Sequence, residues 1–332
     1  MDRASDRALS VVVPVYSCDE CLRALQSRLL PALGSIGPDY EIVYVDDRSP
    51  DGAWTTLKQL AEEDSRVRAV RLSRNFGQQA AITAGLAHSR GRFTVVMDCD
   101  LQDPPEVIPE LYAKAAEGYD IVLARRAARR HSLGRRLAAR LYQKFLKMFI
   151  GVEISSDYGA FSIISDRARS AFLEIQDSDR HYIPILHWLG FERTDIEFEH
   201  AERHAGTSAY SFGQLVRLAT QGIFFQTTTL LRWIVYTGFV IALMGVALAI
   251  YFVIAYFFFT PRIPPGWTSL AVLLLLIGGF IISSTGVTGL YIGKIFSQVK
   301  HRPLYIVEEE VGAFAGEVDQ RNLDDDRLER LA

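Results

Sequence analysis

The sequence predicts an α/β fold built on a mostly parallel sheet, followed by a pair of apolar segments of membrane length. Three observations carry this. Apolar runs of strand length alternate with segments of helical periodicity from the N-terminus to about residue 125. Each of those apolar runs ends in polar residues. Two later stretches, 233–259 and 268–293, contain no charged residue.

The elements follow in order. "LSVVVPVY" reads as a buried strand, and "DECLRALQSRLLPAL" as a helix whose apolar residues recur near every 3.6 positions. "EIVYVDD" and "DGAWTTLKQLAEED" repeat the pair, as do "VRAVRLS" with "QQAAITAGLAHS" and "RFTVVMD" with "PPEVIPELYAKAAE". Strands joined through helices imply right-handed crossovers, hence a parallel sheet. In such sheets ligands bind beyond the carboxyl ends of the strands. Tyr16 and Ser17, Asp46 and Asp47, Ser73 and Arg74, and Asp98 and Asp100 are thereby delivered to one rim. Any one of these ends reads as a cap for the next helix; four together favour a site. No G-x-G-x-x-G or G-x-x-x-x-G-K-[ST] occurs at these turns, which argues against a dinucleotide dehydrogenase or a P-loop enzyme.

The run "VVMDCDLQDPP" ends in Asp98, Asp100 and Asp103. A strand entering a polar turn is the plain reading. Magnesium and manganese, however, take hard oxygen ligands and bridge protein carboxylate to substrate phosphate. A D-x-D at the fourth strand end, with Gln102 adding an amide oxygen, suits that role.

The second half changes character. No acidic residue occurs from Ile121 to Val152, while Arg125, Arg126, Arg129, Arg130, Arg135, Arg136, Arg140, Lys144 and Lys147 all do. Within it, "SLGRRLAARLYQKFLKMF" keeps Leu133, Leu137, Leu141, Phe145, Met148 and Phe149 on one helical face, so 133–149 is expected to lie in a membrane interface. A second such segment, 211–232, leads into the first apolar run. A bilayer core needs roughly 20 apolar helical residues. The runs at 233–259 and 268–293 are therefore expected to form a transmembrane hairpin, with 260–267 as the outer loop. Arg232 before the hairpin and Lys294, Lys300 and Arg302 after it place both ends in the cytoplasm by the positive-inside rule. "MDRASDRALS" has no signal-peptide core. The expected location is the cytoplasmic (inner or plasma) membrane, multi-pass, with the catalytic domain and both termini cytoplasmic. The tail, 294–332, carries "EEE" at 308–310 and "DDD" at 324–326, read as a solvated, mobile end. Cys18, Cys21 and Cys99 fit a reducing compartment; the lone C-x-x-C lacks the second pair a zinc site needs. The formal charge of −3 hides strong polarity along the chain, and no nucleic acid is expected as a partner. "GGFIISSTGVTG" suits close helix packing, which raises a homo-oligomer.

"VVVPVYSCDECL", "VDDRSPDGAW", "SRNFGQQAAITAGL" and "DCDLQDPPEVIPEL", continued by "DYGAFSI", "AERHAGTSAYSF" and "YIGKIFSQVKHRPLYIV", resemble the successive motifs of the inverting family 2 glycosyltransferases. The resemblance is to the polyprenyl-phosphate group. That group includes undecaprenyl-phosphate 4-deoxy-4-formamido-L-arabinose transferases, bactoprenol glucosyltransferases and dolichol-phosphate mannose synthases. It implies a GT-A, Rossmann-like domain over 1–210. It further implies transfer of a sugar from a nucleotide-sugar, with UDP favoured, to polyprenyl phosphate, with Mg2+ or Mn2+ as cofactor. Pro14, Tyr16, Asp46, Asp47 and Asp98 would then serve the nucleotide, and Asp98, Asp100 and Gln102 the metal. Arg125, Arg135, Arg140, Arg203 and Ser208 would face phosphates. Asp100 and Asp157 would be the catalytic residues, with Asp157 lining the sugar or acceptor pocket. Two departures stand out: Ser17-Cys18 replaces the family's Asn-Glu after the tyrosine, and Ala209 replaces the lysine of its Ser-Lys-Tyr.

Two rivals differ in class. A processive polysaccharide synthase needs Q-x-x-R-W, but position 229 is threonine before Arg232 and Trp233. A non-catalytic membrane scaffold would have no use for intact Asp47, Asp98, Asp100 and Gln102.

Overall fold

Both faces of the sheet are covered by helices, which is why its central strands are apolar without alternation. The computed structural model of the protein describes residues 7–126, 158–177, 180–198 and 267–312, with isolated positions between 236 and 258. Strand and helix alternate as β1 (Arg7–Val15), α1 (Asp19–Gly34), β2 (Tyr40–Asp46), α2 (Ala53–Glu63), β3 (Val67–Leu72), α3 (Gln78–His88) and β4 (Gly91–Val96). A 3-10 turn at Pro105–Val107 leads to α4 (Ile108–Ala116) and β5 (Ile121–Arg126). Then come β6 (Tyr158–Ser165), α5 (Asp166–Glu174), α6 (Tyr182–Leu189), β7 (Arg193–Phe198), α7 (Trp267–Val299) and β8 (Val307–Val311).

The strands form one sheet in the order β7-β5-β6-β4-β1-β2-β3-β8. β1 pairs in parallel with β2 and β4, β2 with β3, and β5 with β7. Only β6 and β8 run against their neighbours. The mostly parallel α/β sheet expected from the first 125 residues is present, with all four sequence-read strand–helix pairs in place. β1 shows how both faces are filled. Val11, Val13 and Val15 join the core under α1, α2 and α4, while Val12 points into the core under α3, α5 and α6. Gly85 lets α3 lie against β1 and β2, since a Cβ there would come within 2.2 Å of Val12 Cγ1. Leu22, Leu25, Leu29 and Leu33 on α1 are fully buried. Each such leucine contributes about 1.5–3 kcal/mol relative to exposure.

The chain falls into two compact units, one of 1–130, 154–207 and 302–332, the other of 131–153 and 208–301. The first unit corrects one expectation. The glutamates at 308–310, read as part of a solvated, mobile end, instead form β8 at the edge of the sheet, antiparallel to β3. The reason is charge. Arg68 on β3 is 1% exposed and needs a carboxylate; it pairs with Glu310 at 2.6 Å and with Glu41 at 3.8 Å. Its other guanidinium nitrogen donates to the carbonyl of His88 at 2.8 Å. Glu309 meets Lys58 at 2.8 Å and accepts from Trp54 Nε1 at 3.0 Å. Glu308 pairs with Arg48.

In the second unit α7 is a continuous helix of 33 residues. Tyr236, Val240, Leu243, Ile250, Ile254 and Phe258 are also helical. Among the described residues no helix is long and apolar enough to cross a membrane, so the paired spans stand as an expectation. The interfacial helix at 133–149, the juxtamembrane segment 211–232, most of 233–259, loop positions 260–266 and the "DDD" run lie outside the described residues.

Removing the Arg68 side chain leaves Glu41 and Glu310 without their cation. Arg68→Ala is expected to destabilise the first unit by about 3–5 kcal/mol, read as a lowered midpoint in thermal or urea unfolding of the purified protein.

Candidate active site

β1 lies between β2 and β4, whose crossover helices cover opposite faces, so a crevice opens at the carboxyl ends of these strands. Pro14 is buried inside β1 opposite Val45, and Tyr16 emerges at the rim, 51% exposed. Ser17, in the left-handed region at φ 53°, turns the chain and donates its N–H to Ser49 Oγ at 3.2 Å.

The two aspartates closing β2 hold the rim loops. Asp46 is fully enclosed: Oδ1 accepts from the Ser49 amide at 2.9 Å, and Oδ2 lies 3.2 Å from Arg71 Nε. Its carboxylate has no open face, so it shapes the 46–49 turn and does not border the crevice. Asp47, 3% exposed, accepts from the amides of Phe76 at 2.7 Å and Gly77 at 2.8 Å. Burial pushes both carboxyls above the usual range against these hydrogen bonds.

Beyond β4 the D-x-D loop alternates inward and outward. Met97, Cys99 and Leu101 are buried in the core, while Asp98 and Asp100 are half-buried at the surface of the crevice. Leu101 adopts φ 63°, and Asp100 Oδ1 accepts from the Gln102 amide at 3.1 Å. Asp98 Oδ1 accepts from Gln78 Nε2 at 2.7 Å. Asp103, fully buried beneath them, accepts from the Asp98 amide at 3.1 Å through Oδ2. Its Oδ1 has no hydrogen-bond partner. Burial, reinforced by the Asp98 charge, pushes Asp103 up to about 7.

These residues fit a cation held jointly with a substrate better than one held by protein alone. Among the described residues no three His, Cys, Asp or Glu side chains converge as a metal cage. Mg2+ commonly needs only one or two protein carboxylates beside substrate phosphates. Asp98 and Asp100 offer that donor set, with the buried, unsatisfied Asp103 oxygen behind them.

Beside the acidic loop stands Arg126, the residue that follows Arg125 in the basic stretch. Side chains alternate along β5, and Arg125 turns to β7, pairing with Asp195 at 3.0 Å and with Glu197. Arg126 turns the other way: Nη2 lies 3.9 Å from Asp103 Oδ1, and Nε is buried without a partner. It crosses Gly159, where a Cβ would come within 2.9 Å of Nη2. Two acids thus already pair with Arg125. Gly159 also lines a cavity of about 240 Å³ with Gln78, Asp98, Tyr158, His181 and Ile183. Gln78 received no site role from the sequence, whereas Asp103 stood in the acidic run and Arg126 in the basic stretch. The strand alternation could have separated Arg126 from Arg125; nothing local marks Gln78. Arg135, Arg140, Asp157, Arg203 and Ser208 lie outside the described residues.

Cys18 donates to the Cys99 carbonyl at 3.1 Å, and all three cysteines are free. The hydrogen bond with Cys99 and burial push the Cys18 thiol up, which makes it a poor nucleophile.

The profile described as Glycosyl transferase family 2 matches residues 10–172. An undecaprenyl-phosphate 4-deoxy-4-formamido-L-arabinose transferase of Yersinia enterocolitica is 38% identical over 319 residues, which covers 95% of this chain and 97% of the relative. The uncharacterized glycosyltransferase YkcC of Bacillus subtilis is 33% identical over 305 residues, covering 91% and 94%. Among solved structures, a glucosyl-3-phosphoglycerate synthase from Mycobacterium tuberculosis, in complex with Mn2+, UDP and glucosyl-3-phosphoglycerate, gives a TM-score of 0.48 at 17% identity. It covers 66% of this chain and 78% of that one, and at that distance it has no bearing on the chemistry here.

Asp103 binds its proton more tightly folded than unfolded, because burial pushes its folded pKa up to about 7, above the usual carboxylate range. Stability should therefore fall as pH rises from about 4 to about 7. Asp103→Asn keeps an acceptor for the Asp98 amide and cannot ionise. Its unfolding midpoint should change less between pH 5 and pH 8 than that of the wild type.

Proposed function

The chain belongs to glycosyl transferase family 2, and from that premise we propose that it transfers a sugar from a nucleotide-sugar, UDP-linked by preference, to a polyprenyl phosphate. The product is a lipid-linked monosaccharide for lipopolysaccharide or other envelope glycans. The observation that carries this reading is the acidic 98–103 loop at the end of β4, beside a cavity of about 240 Å³. The whole-length likeness to an undecaprenyl-phosphate transferase supports the choice of acceptor.

The acceptor phosphate oxygen attacks the anomeric carbon as the bond from that carbon to the diphosphate oxygen breaks. The diphosphate leaves with the bonding electrons, and the anomeric centre inverts. A phosphate monoester, with a second pKa of about 6, is largely dianionic at neutral pH. It needs positioning more than a strong base, so Asp157 is assigned to shaping the pocket or to proton transfer. Asp98 and Asp100, with Gln102, would hold Mg2+ or Mn2+, which when bound offsets charge on the departing diphosphate. The protein's own contribution beside them is Arg126, whose partly exposed guanidinium beside Asp103 would bring positive charge to a phosphate oxygen. Pro14, Tyr16 and Asp47 would border the nucleotide, Tyr16 through its exposed ring and Asp47 through the 76–77 backbone it holds.

A polyprenyl tail keeps the acceptor in the bilayer, so the reading includes a membrane anchor at the cytoplasmic face. Leu270, Leu274, Ile281, Leu290 and Ile295 on α7 are each more than half exposed. That exposure is what lipid contact would relieve, and the basic 121–152 stretch suits anionic headgroups.

Asp100→Asn should lower transfer by about 100-fold or more while expression and membrane insertion stay unchanged. The assay is labelled sugar nucleotides with undecaprenyl phosphate, with and without EDTA; undiminished transfer by the variant would defeat the metal assignment. In the same assay Arg126→Met should lower kcat/KM by about 10–100-fold, as loss of a charged hydrogen bond does. Arg125→Met should lower it less.

A further inference from the structure

The first turn of α3 is fixed more firmly than its place in a rim loop requires. Asp47 binds the amides of both Phe76 and Gly77. Gly77, the residue before the helix, sits at φ 96°, where a side chain would be strained. Gln79 Oε1 accepts from the Tyr182 amide at 2.8 Å, which ties the turn to α6. About two turns further on, Gly85 packs the helix onto Val12 and Val45. Gln78 is the residue presented to the crevice by this rigid base, and its Nε2 lies 2.7 Å from Asp98 Oδ1.

We propose that Gln78 is a positioning residue for the reaction: its side-chain amide fixes the orientation of the Asp98 carboxylate for a divalent cation. The inference rests on the reading of Asp98 and Asp100 as metal ligands. A carboxylate left to rotate adopts many orientations, and each costs a cation the entropy of selecting one. An amide N–H bonded to one oxygen removes that freedom. The residue type matters too. A lysine here would bring a positive charge against the incoming cation, and a glutamate would repel Asp98. Glutamine orients the carboxylate and leaves the local charge unchanged. The same side chain borders both cavities of the crevice, one with Asp98 and Tyr158, the other with Phe76 and Arg180.

The test is Gln78→Met in the full-length protein, a change that keeps side-chain length and removes the donor. Mn2+ binding in the presence of UDP is read from the electron paramagnetic resonance signal of free Mn2+, with the unfolding midpoint measured alongside. The expected result is a Mn2+ midpoint raised by about 10–100-fold, an unchanged unfolding midpoint, and kcat at saturating Mn2+ within a few-fold of wild type. An unchanged Mn2+ midpoint overturns the inference. So does a lowered unfolding midpoint, which would assign Gln78 to the fold. Asp98→Asn and Asp100→Asn are measured in parallel. If the wild type binds Mn2+ no better than these two variants, the metal reading itself fails; if only Gln78→Met matches the wild type, the metal reading stands and this inference alone fails.

Discussion

Backbone amides held by buried carboxylates give the rim its shape. A parallel sheet delivers its strand ends to one edge, and the loops that leave that edge carry N–H groups that must find acceptors. Asp46 supplies one for Ser49, Asp47 two for Phe76 and Gly77, and Asp103 one for Asp98. Each of these acids is buried at a cost, visible in the upward pull on its pKa. The return is a set of turns whose geometry is specified atom by atom. The acidity of the rim thus has two sources: Asp46, Asp47 and Asp103 build it, and Asp98 and Asp100 are presented by it.

This division explains why the D-x-D loop is chemically useful. Its inward residues, Met97, Cys99 and Leu101, anchor it in the core, and Asp103 ties down its first amide. The outward acids therefore stand on a frame that does not depend on a bound ion. Gln78 and Arg126 approach the same loop from α3 and β5, one a neutral donor, the other a cation with unsatisfied hydrogen-bonding capacity. On the proposed reading, the protein brings negative phosphates against negative carboxylates at this loop. A cation and a nearby guanidinium are the physical means of doing so.

The far edge of the sheet is governed by the buried Arg68. A guanidinium that is 1% exposed is tolerable only with counter-charge, and Glu310 arrives from the other end of the chain to supply it. β8 thus closes the open edge of β3 and returns the C-terminal segment to the catalytic unit. Leu304, just before β8, lines the cavity at the start of α3, so the same return reaches the rim.

Local pattern was enough to determine the four strand–helix pairs, their parallel assembly and the polar rim, because apolar periodicity and strand-end polarity are properties of neighbouring residues. The D-x-D was legible for the same reason, as was the family resemblance carried by motifs in order. Only the tertiary structure decided which acids face the crevice, since Asp46 and Asp98 look alike as strand-end carboxylates and differ in what packs over them. It also gave Arg125 and Arg126 different surroundings, because the acids that pair with Arg125 come from β7, some seventy positions away. The glutamates of β8 looked like a solvated tail because their cations lie on α2, on β3 and in the turn after β2. Long-range charge pairing and burial have no local signature, and those were the terms that turned a set of plausible residues into a particular site.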